Sequence, residues 1–152
     1  MIKLRKVYSY NCRALFKLNL DRSQKDFVNV PVSYMAVAAE NKNCIPMLIY
    51  NDETPVGFFV YGIISDCYVI AGFMIDVNHQ RKGYGTRAMK TLIRKIKRDN
   101  KINKISLNVS EDNVVAIKIY EKLGFKQTSF AFFVVDEETG KQTDHFNMEL
   151  DY

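Results

Sequence analysis

The segment Gln80-Arg81-Lys82-Gly83-Tyr84-Gly85-Thr86 joins an apolar run, Tyr68–Ile75, to a basic amphipathic stretch that begins near Thr86. Two closely spaced glycines between a strand and a helix let the backbone turn tightly and approach a ligand without Cβ interference. The first amides of the helix then lack intrahelical partners and lie at the positive end of the helix dipole. A row of such amides is suited to a pyrophosphate. Asn113, positioned to cap a later helix, is followed after seven residues by Tyr120.

Each feature also has a plainer reading. Gly83 and Gly85 could serve only a tight strand-to-helix turn. Asn113 could be simply an N-cap, and Tyr120 a core aromatic at helical spacing with Ala116 and Leu123. Gly83-Tyr84-Gly85-Thr86-Arg87-Ala88 also fits a loose G-x-G-x-x-A dinucleotide fingerprint, but the turn lies mid-chain and no second βαβ unit follows. A P-loop is excluded because its Lys-Ser/Thr pair is absent.

The elements that must position these residues are legible in the periodicity. Ile2–Val7 alternates as a strand. Asn11 is placed to cap a helix running to Leu20, with Leu15, Leu18 and Phe16 inward. A second helical region spans 24–40, broken near Pro31, with Ser33 capping Tyr34–Glu40. Met47–Tyr50 and Val56–Ile64 form a hairpin across Asn51–Thr54. After Tyr68–Ile75, Met89, Leu92, Ile93 and Ile96 make the apolar stripe of a half-buried helix. Ile105, Leu107 and Val109 alternate as a strand. Asn113 opens the Tyr120 helix, which Gly124 ends, and Phe130–Val135 with His145–Leu150 close the chain as a hairpin. This is a mixed α/β order around one sheet, read as a single domain over 1–152.

Composition narrows the class. At 152 residues with 47% hydrophobic content, the chain can bury a core without staples. No apolar run reaches the ~18–20 residues of a membrane span, and Met1–Lys6 lacks a signal-peptide core. Cys12, Cys44 and Cys67 form no CxxC pair, so neither disulfides nor a metal site is expected and the cytoplasm fits best. The net charge is +5, and ten cations lie between Arg81 and Lys104 against one acid, Asp99. Such a field beside a glycine turn favours a polyanionic cofactor, though a solvated helix face has the same look. Nucleic acid is not expected as a partner, since no reader motif accompanies the charge.

Taken together, Gln80-x-x-Gly83-x-Gly85 and the Asn113…Tyr120 segment resemble the GNAT family of acyl-coenzyme A-dependent N-acetyltransferases over residues 56–125. Gln24, Phe27-Val28 and the pattern Ile49-Tyr50…Val56-Gly57-Phe58…Tyr61-Gly62 resemble more specifically its bacterial spermine/spermidine branch. The resemblance implies a GNAT fold: a mostly antiparallel sheet flanked by helices, with a splayed central strand pair. It implies acetyl-coenzyme A as cosubstrate and a small-molecule primary amine as acceptor. The backbone of Phe73, Met74 and Ile75 would hold the pantetheine arm, with Gln80 beside it. The amides of Arg81, Lys82, Gly83, Tyr84, Gly85 and Thr86 would hold the diphosphate. Asn113 would lie near the pantetheine, and Tyr120 would serve as general acid. A homodimer through the C-terminal strands is a further implication.

Two departures bear on mechanism. A primary amine with a pKa of about 10.4 costs roughly 4.6 kcal/mol to deprotonate at pH 7. Polyamine-type relatives carry an acid on the strand before the glycine turn, where this chain has Ala71-Gly72. Peptide N-terminal acetyltransferases place a glutamate where it has Asn108. Asp76 and Glu111 are the nearby carboxylates, and His79 reads as a turn residue. The base is left unassigned. Antibiotic and protein amines stay open as acceptors, as does a weakly catalytic, cofactor-sensing module.

Overall fold

The computed structural model describes residues 1–19, 31–99 and 101–152. The element order is β1 (Ile2–Lys6), α1 (Ala14–Lys17), α2 (Pro31–Glu40), β2 (Cys44–Asn51), β3 (Thr54–Ile64), β4 (Cys67–Ile75), α3 (Tyr84–Asp99), β5 (Lys104–Ser110), α4 (Val114–Lys122), β6 (Lys126–Val135) and β7 (Gln142–Asp151), with a 3-10 turn at Val77–His79. All seven strands form one sheet in the order β1-β2-β3-β4-β5-β7-β6. Every neighbouring pair is antiparallel except β4 and β5.

Helices cover both faces, and the sequence dictates which. Ala88, Met89, Leu92, Ile93 and Ile96 of α3 are buried on one face against Tyr68 and Ile70 of β4 and Ile105, Leu107 and Val109 of β5. Tyr120 and Phe125 join the same cluster. Each such side chain contributes about 1.5–3 kcal/mol of transfer free energy. On the other face, Leu15 and Leu18, with Met35 of α2 partly buried beside them, pack on Leu48, Tyr50, Phe58, Val60 and Met74.

The central pair separates. Register between β4 and β5 runs only through Tyr68–Ile105, Val69–Ser106 and Ile70–Leu107. Beyond it, Ala71–Ile75 stays paired with β3 and Asn108–Ser110 with β7, but the two segments no longer meet. A bulge marks the point of departure. β3 advances from Val60 to Phe58 while β4 advances from Ala71 to Met74, with Gly72 at φ +61. A bulge bends its strand and adds local twist. It also shifts the alternation. Phe73 and Ile75 therefore lie on the α3 face with Ile70, while Met74 is buried on the other.

Several expectations are corrected. Asn11 does not cap α1: its carbonyl oxygen accepts from Tyr8 N at 2.7 Å, its amide donates to Lys6 O, and the helix is one turn. Leu15 and Leu18 are buried as expected, but Phe16 points outward. Helix α2 begins at Pro31, so Ser33 lies within its first turn rather than before it. Helix α3 starts at Tyr84, two residues earlier than expected, so Tyr84–Thr86 belong to its first turn. Leu20, Gln24, Phe27 and Val28 lie outside the described residues.

Candidate active site

Helix α3 begins directly over the end of β4. A Cβ on Gly85 would sit 3.5 Å from Ile75 Cγ1 and 3.9 Å from Phe73 Cε1, ordinary contact distances. Between strand and helix, Asp76 starts the 3-10 turn, and the Gln80 amide donates to Ile75 O at 3.0 Å. The chain then passes through two left-handed residues, Arg81 at φ +59 and Gly83 at φ +75. For a residue with a side chain that conformation costs of order 1 kcal/mol, and such strain concentrates at ligand sites.

The carbonyls of this loop are occupied. Arg87 donates from Nη2 to Lys82 O (3.1 Å) and from Nε to Gly83 O (3.4 Å), and Lys82 Nζ donates to Asn78 O (3.0 Å). In a trans peptide, N–H and C=O point opposite ways. Fixing the Lys82 and Gly83 carbonyls on Arg87 therefore turns the Gly83 and Tyr84 amides away from it. The first intrahelical bond at this end is Arg87 N to Gly83 O, so Tyr84, Gly85 and Thr86 N–H precede the ladder. Around Gly83 no atom of a described residue beyond its chain neighbours lies within 4 Å of where a Cβ would stand, leaving open space there.

Tyr84 does more than supply an amide. Its hydroxyl accepts from Asn51 Nδ2 at 3.2 Å, tying the helix start to the β2–β3 hairpin, and Arg87 lies 4.9 Å over its ring. The Arg81 and Lys82 side chains are exposed. Phe73 is half-buried, and Met74 and Ile75 are buried. The inner backbone edge of Ala71–Ile75 borders the gap between β4 and β5. Such an edge can hydrogen-bond an extended ligand.

On the other rim, β5 ends at Ser110 and Asn113 caps α4, its Oδ1 accepting from Ala116 N at 3.3 Å. The cap fixes the helix that carries Tyr120. The Tyr120 ring is buried, with Phe125 tilted against it at 5.8 Å between centroids. Its hydroxyl has no hydrogen-bond partner among the described residues. Burial pushes its pKa well above the ordinary phenol value, so the group is a proton-bearing donor at neutral pH.

The carboxylates nearest the gap are already engaged. Asp76, buried at 4% exposure, accepts from Asn78 N (2.9 Å) and Asn19 N (2.7 Å), pinning the end of the α1 segment to the end of β4. Asp76→Ala should lower stability by about 1–3 kcal/mol by stranding these amides. Urea unfolding measures that loss; unchanged stability with a collapsed turnover rate would mark a base instead. Glu111 accepts from Asp144 N at 3.0 Å while its own N–H donates to Asp144 O, lacing β5 to β7. His79 sits 6.2 Å from the Tyr84 ring.

One polar group was missed in the sequence. His145, 6% exposed on β7, stacks on Phe132 at 4.6 Å, and its Nε2 is buried without a partner among the described residues. No local pattern reveals it, because its setting comes from pairing with Ser110 and Phe132, both distant in sequence. No group of three potential metal ligands occurs among the described residues, and no described helix is long and apolar enough to cross a membrane.

The model of the acetyltransferase (GNAT) family matches residues 9–125. The chain belongs to that family and is an acetyl-coenzyme A-dependent N-acetyltransferase. Among curated proteins, a probable spermine N(1)-acetyltransferase of Bacillus subtilis subsp. natto and the spermine/spermidine N(1)-acetyltransferase of B. subtilis strain 168 are each 26% identical over 133 residues, covering 82% of this chain and 88% of theirs. Among solved structures, a spermidine N-acetyltransferase from Vibrio cholerae, in complex with CoA and spermine, shares the fold. Its TM-score is 0.77 at 17% identity, over 99% of this chain and 95% of that one. The ribosomal-protein-S18-alanine N-acetyltransferase of Escherichia coli gives 0.75 at 17% identity, over 99% and 94%.

Proposed function

We propose that this enzyme acetylates a primary amine of a polyamine-type small molecule, in the reducing cytoplasm. The observation that carries the site is the parting of β4 from β5 after Ile70 and Leu107, beside the amide-rich start of α3. The residues fit acetyl-coenzyme A: an open strand edge for the pantetheine amides, N–H groups ahead of the helical ladder for the diphosphate, and room over Gly83. When bound, it supplies the activated thioester.

This chain's residues then do the following. The amides from Arg81 to Thr86 bind the diphosphate, with Arg81 and Lys82 adding positive field. The backbone of Phe73–Ile75 aligns the arm, and a strand amide near Ile75 donates to the thioester carbonyl oxygen as charge develops there. Gln80 and Asn113 hold the two rims. Tyr120 donates to the sulfur as it leaves. The same desolvation that raises the phenol also raises a buried thiol, which keeps the proton transfer between them feasible.

Support for the polyamine class comes from the two B. subtilis relatives and the spermine-bound V. cholerae fold. The edge strand β6 supports a homodimer: Phe130, Phe132, Phe133, Val134 and Val135 are all exposed on it. A thiol-release screen across spermine, spermidine, aminoglycosides and peptides tests the substrate class. Turnover of spermine or spermidine well above thioester hydrolysis is expected. Turnover of another amine class, with polyamines inert, overturns the assignment.

A further inference from the structure

The reaction needs a proton acceptor on the amine side, and the two carboxylates offered by the sequence are held by backbone amides. His145 Nε2 is the one buried side-chain polar atom without a partner among the described residues. A buried polar atom left unpaired calls for an explanation such as a role in catalysis.

Its position fits that role. His145 pairs with Ser110, the last residue of β5, and Ser110 lies past Leu107, where the gap has opened. Val109, Leu107 and Ile105 pack on the α3–α4 face, so alternation puts Ser110 and its cross-strand partner His145 on the opposite one. Tyr120 belongs to the α3–α4 side. Tyr120 and His145 thus lie on opposite faces of the sheet, His145 beside the end of β5 that has left β4. The cover over the imidazole is Phe132, itself 43% exposed on an edge strand.

We infer that His145 takes a proton from the acceptor nitrogen as that nitrogen bonds to the acetyl carbon, an inference that rests on the amine-acetylation reading above. The amine enters as the free base after losing one proton to water. Its lone pair forms the C–N bond, the C–S bond breaks with its electrons going to sulfur, and Tyr120 protonates that sulfur. His145 holds the second nitrogen proton and returns it through solvent to the phenoxide. One proton is released per turnover. The charged groups acting on His145 among the described residues are Asp144 beside it and Glu111 after β5. Both favour the imidazolium, but burial outweighs them and holds the pKa below the usual imidazole value. The ring is therefore neutral, with a free lone pair, at pH 7.

The test compares H145Q with the unaltered enzyme in kcat/KM for the amine between pH 5 and 9, with acetyl-coenzyme A affinity and Tm alongside. The unaltered enzyme should rise with slope 1 above the imidazole pKa, from amine deprotonation, and with slope 2 below it. H145Q should keep slope 1 throughout and lose about 10²–10³-fold at pH 8, with cofactor affinity and Tm little changed. H145A with added imidazole supplies a second variant, in which partial recovery is expected. Identical pH slopes in the two proteins, or no recovery with imidazole, overturns the role of His145 while acetylation itself stands. Absence of turnover by the unaltered enzyme with every amine overturns the transfer reading and this role together.

Discussion

Tyr120→Phe should lower kcat by about 10²–10³-fold, the scale of general-acid catalysis, while the dissociation constant of acetyl-coenzyme A changes little. The substitution removes one oxygen and keeps the ring that packs against Phe125. It breaks no hydrogen bond, since the hydroxyl has no partner among the described residues. The ring packing is kept and no bond to a described residue is lost, so stability should stay level. A residue that matters only for packing would show the reverse: a Tm loss with catalysis intact. The split between kcat and cofactor affinity reports an interaction made in the transition state. Stopped-flow thiol release and calorimetry measure the two halves. Equal rates for the two proteins would remove the phenol from the mechanism.

Gly83→Val should weaken acetyl-coenzyme A binding by about 10–100-fold and leave the fold in place. Gly83 stands at φ +75, a region that costs a side-chain-bearing residue about 1–2 kcal/mol. The new Cβ meets no atom of a described residue beyond its chain neighbours within 4 Å, so the described packing is kept. It fills instead the space over the amides of the helix start, where the diphosphate is proposed to sit. Calorimetric titration with far-ultraviolet circular dichroism separates loss of affinity from loss of structure. Undiminished affinity would show that the cradle lies elsewhere.

The sequence made visible whatever depends on short-range periodicity. The stripe Met89, Leu92, Ile93 and Ile96 is buried throughout, and Ile105, Leu107 and Val109 all face one helix layer. The glycine turn and the Asn113 cap also stand where their residue types place them. The β2–β3 hairpin and β4 likewise fall where the apolar runs and the turn cluster put them. The misjudged features rest on longer-range partners. Asn11 resembles a helix cap until Tyr8 and Lys6 are seen to occupy its amide. Asp76 resembles a free loop acid, yet it is bound by Asn19, 57 residues away in sequence. Ala71-Gly72 reads as the loss of a strand carboxylate. In the fold, Gly72 marks the bulge at which β4 leaves β5, a geometric role no alternation pattern encodes. His145 gains its setting only when β5, β6 and β7 are brought together.

One opening in the sheet is proposed to bring the amides of the α3 start and the Tyr120 phenol onto a single cosubstrate. A crystal structure with bound acetyl-coenzyme A tests it most directly. The diphosphate is expected on the amides of Arg81–Thr86 and the sulfur within hydrogen-bonding reach of the Tyr120 hydroxyl. A cosubstrate seated outside the β4–β5 opening, or a sulfur far from that phenol, would contradict it.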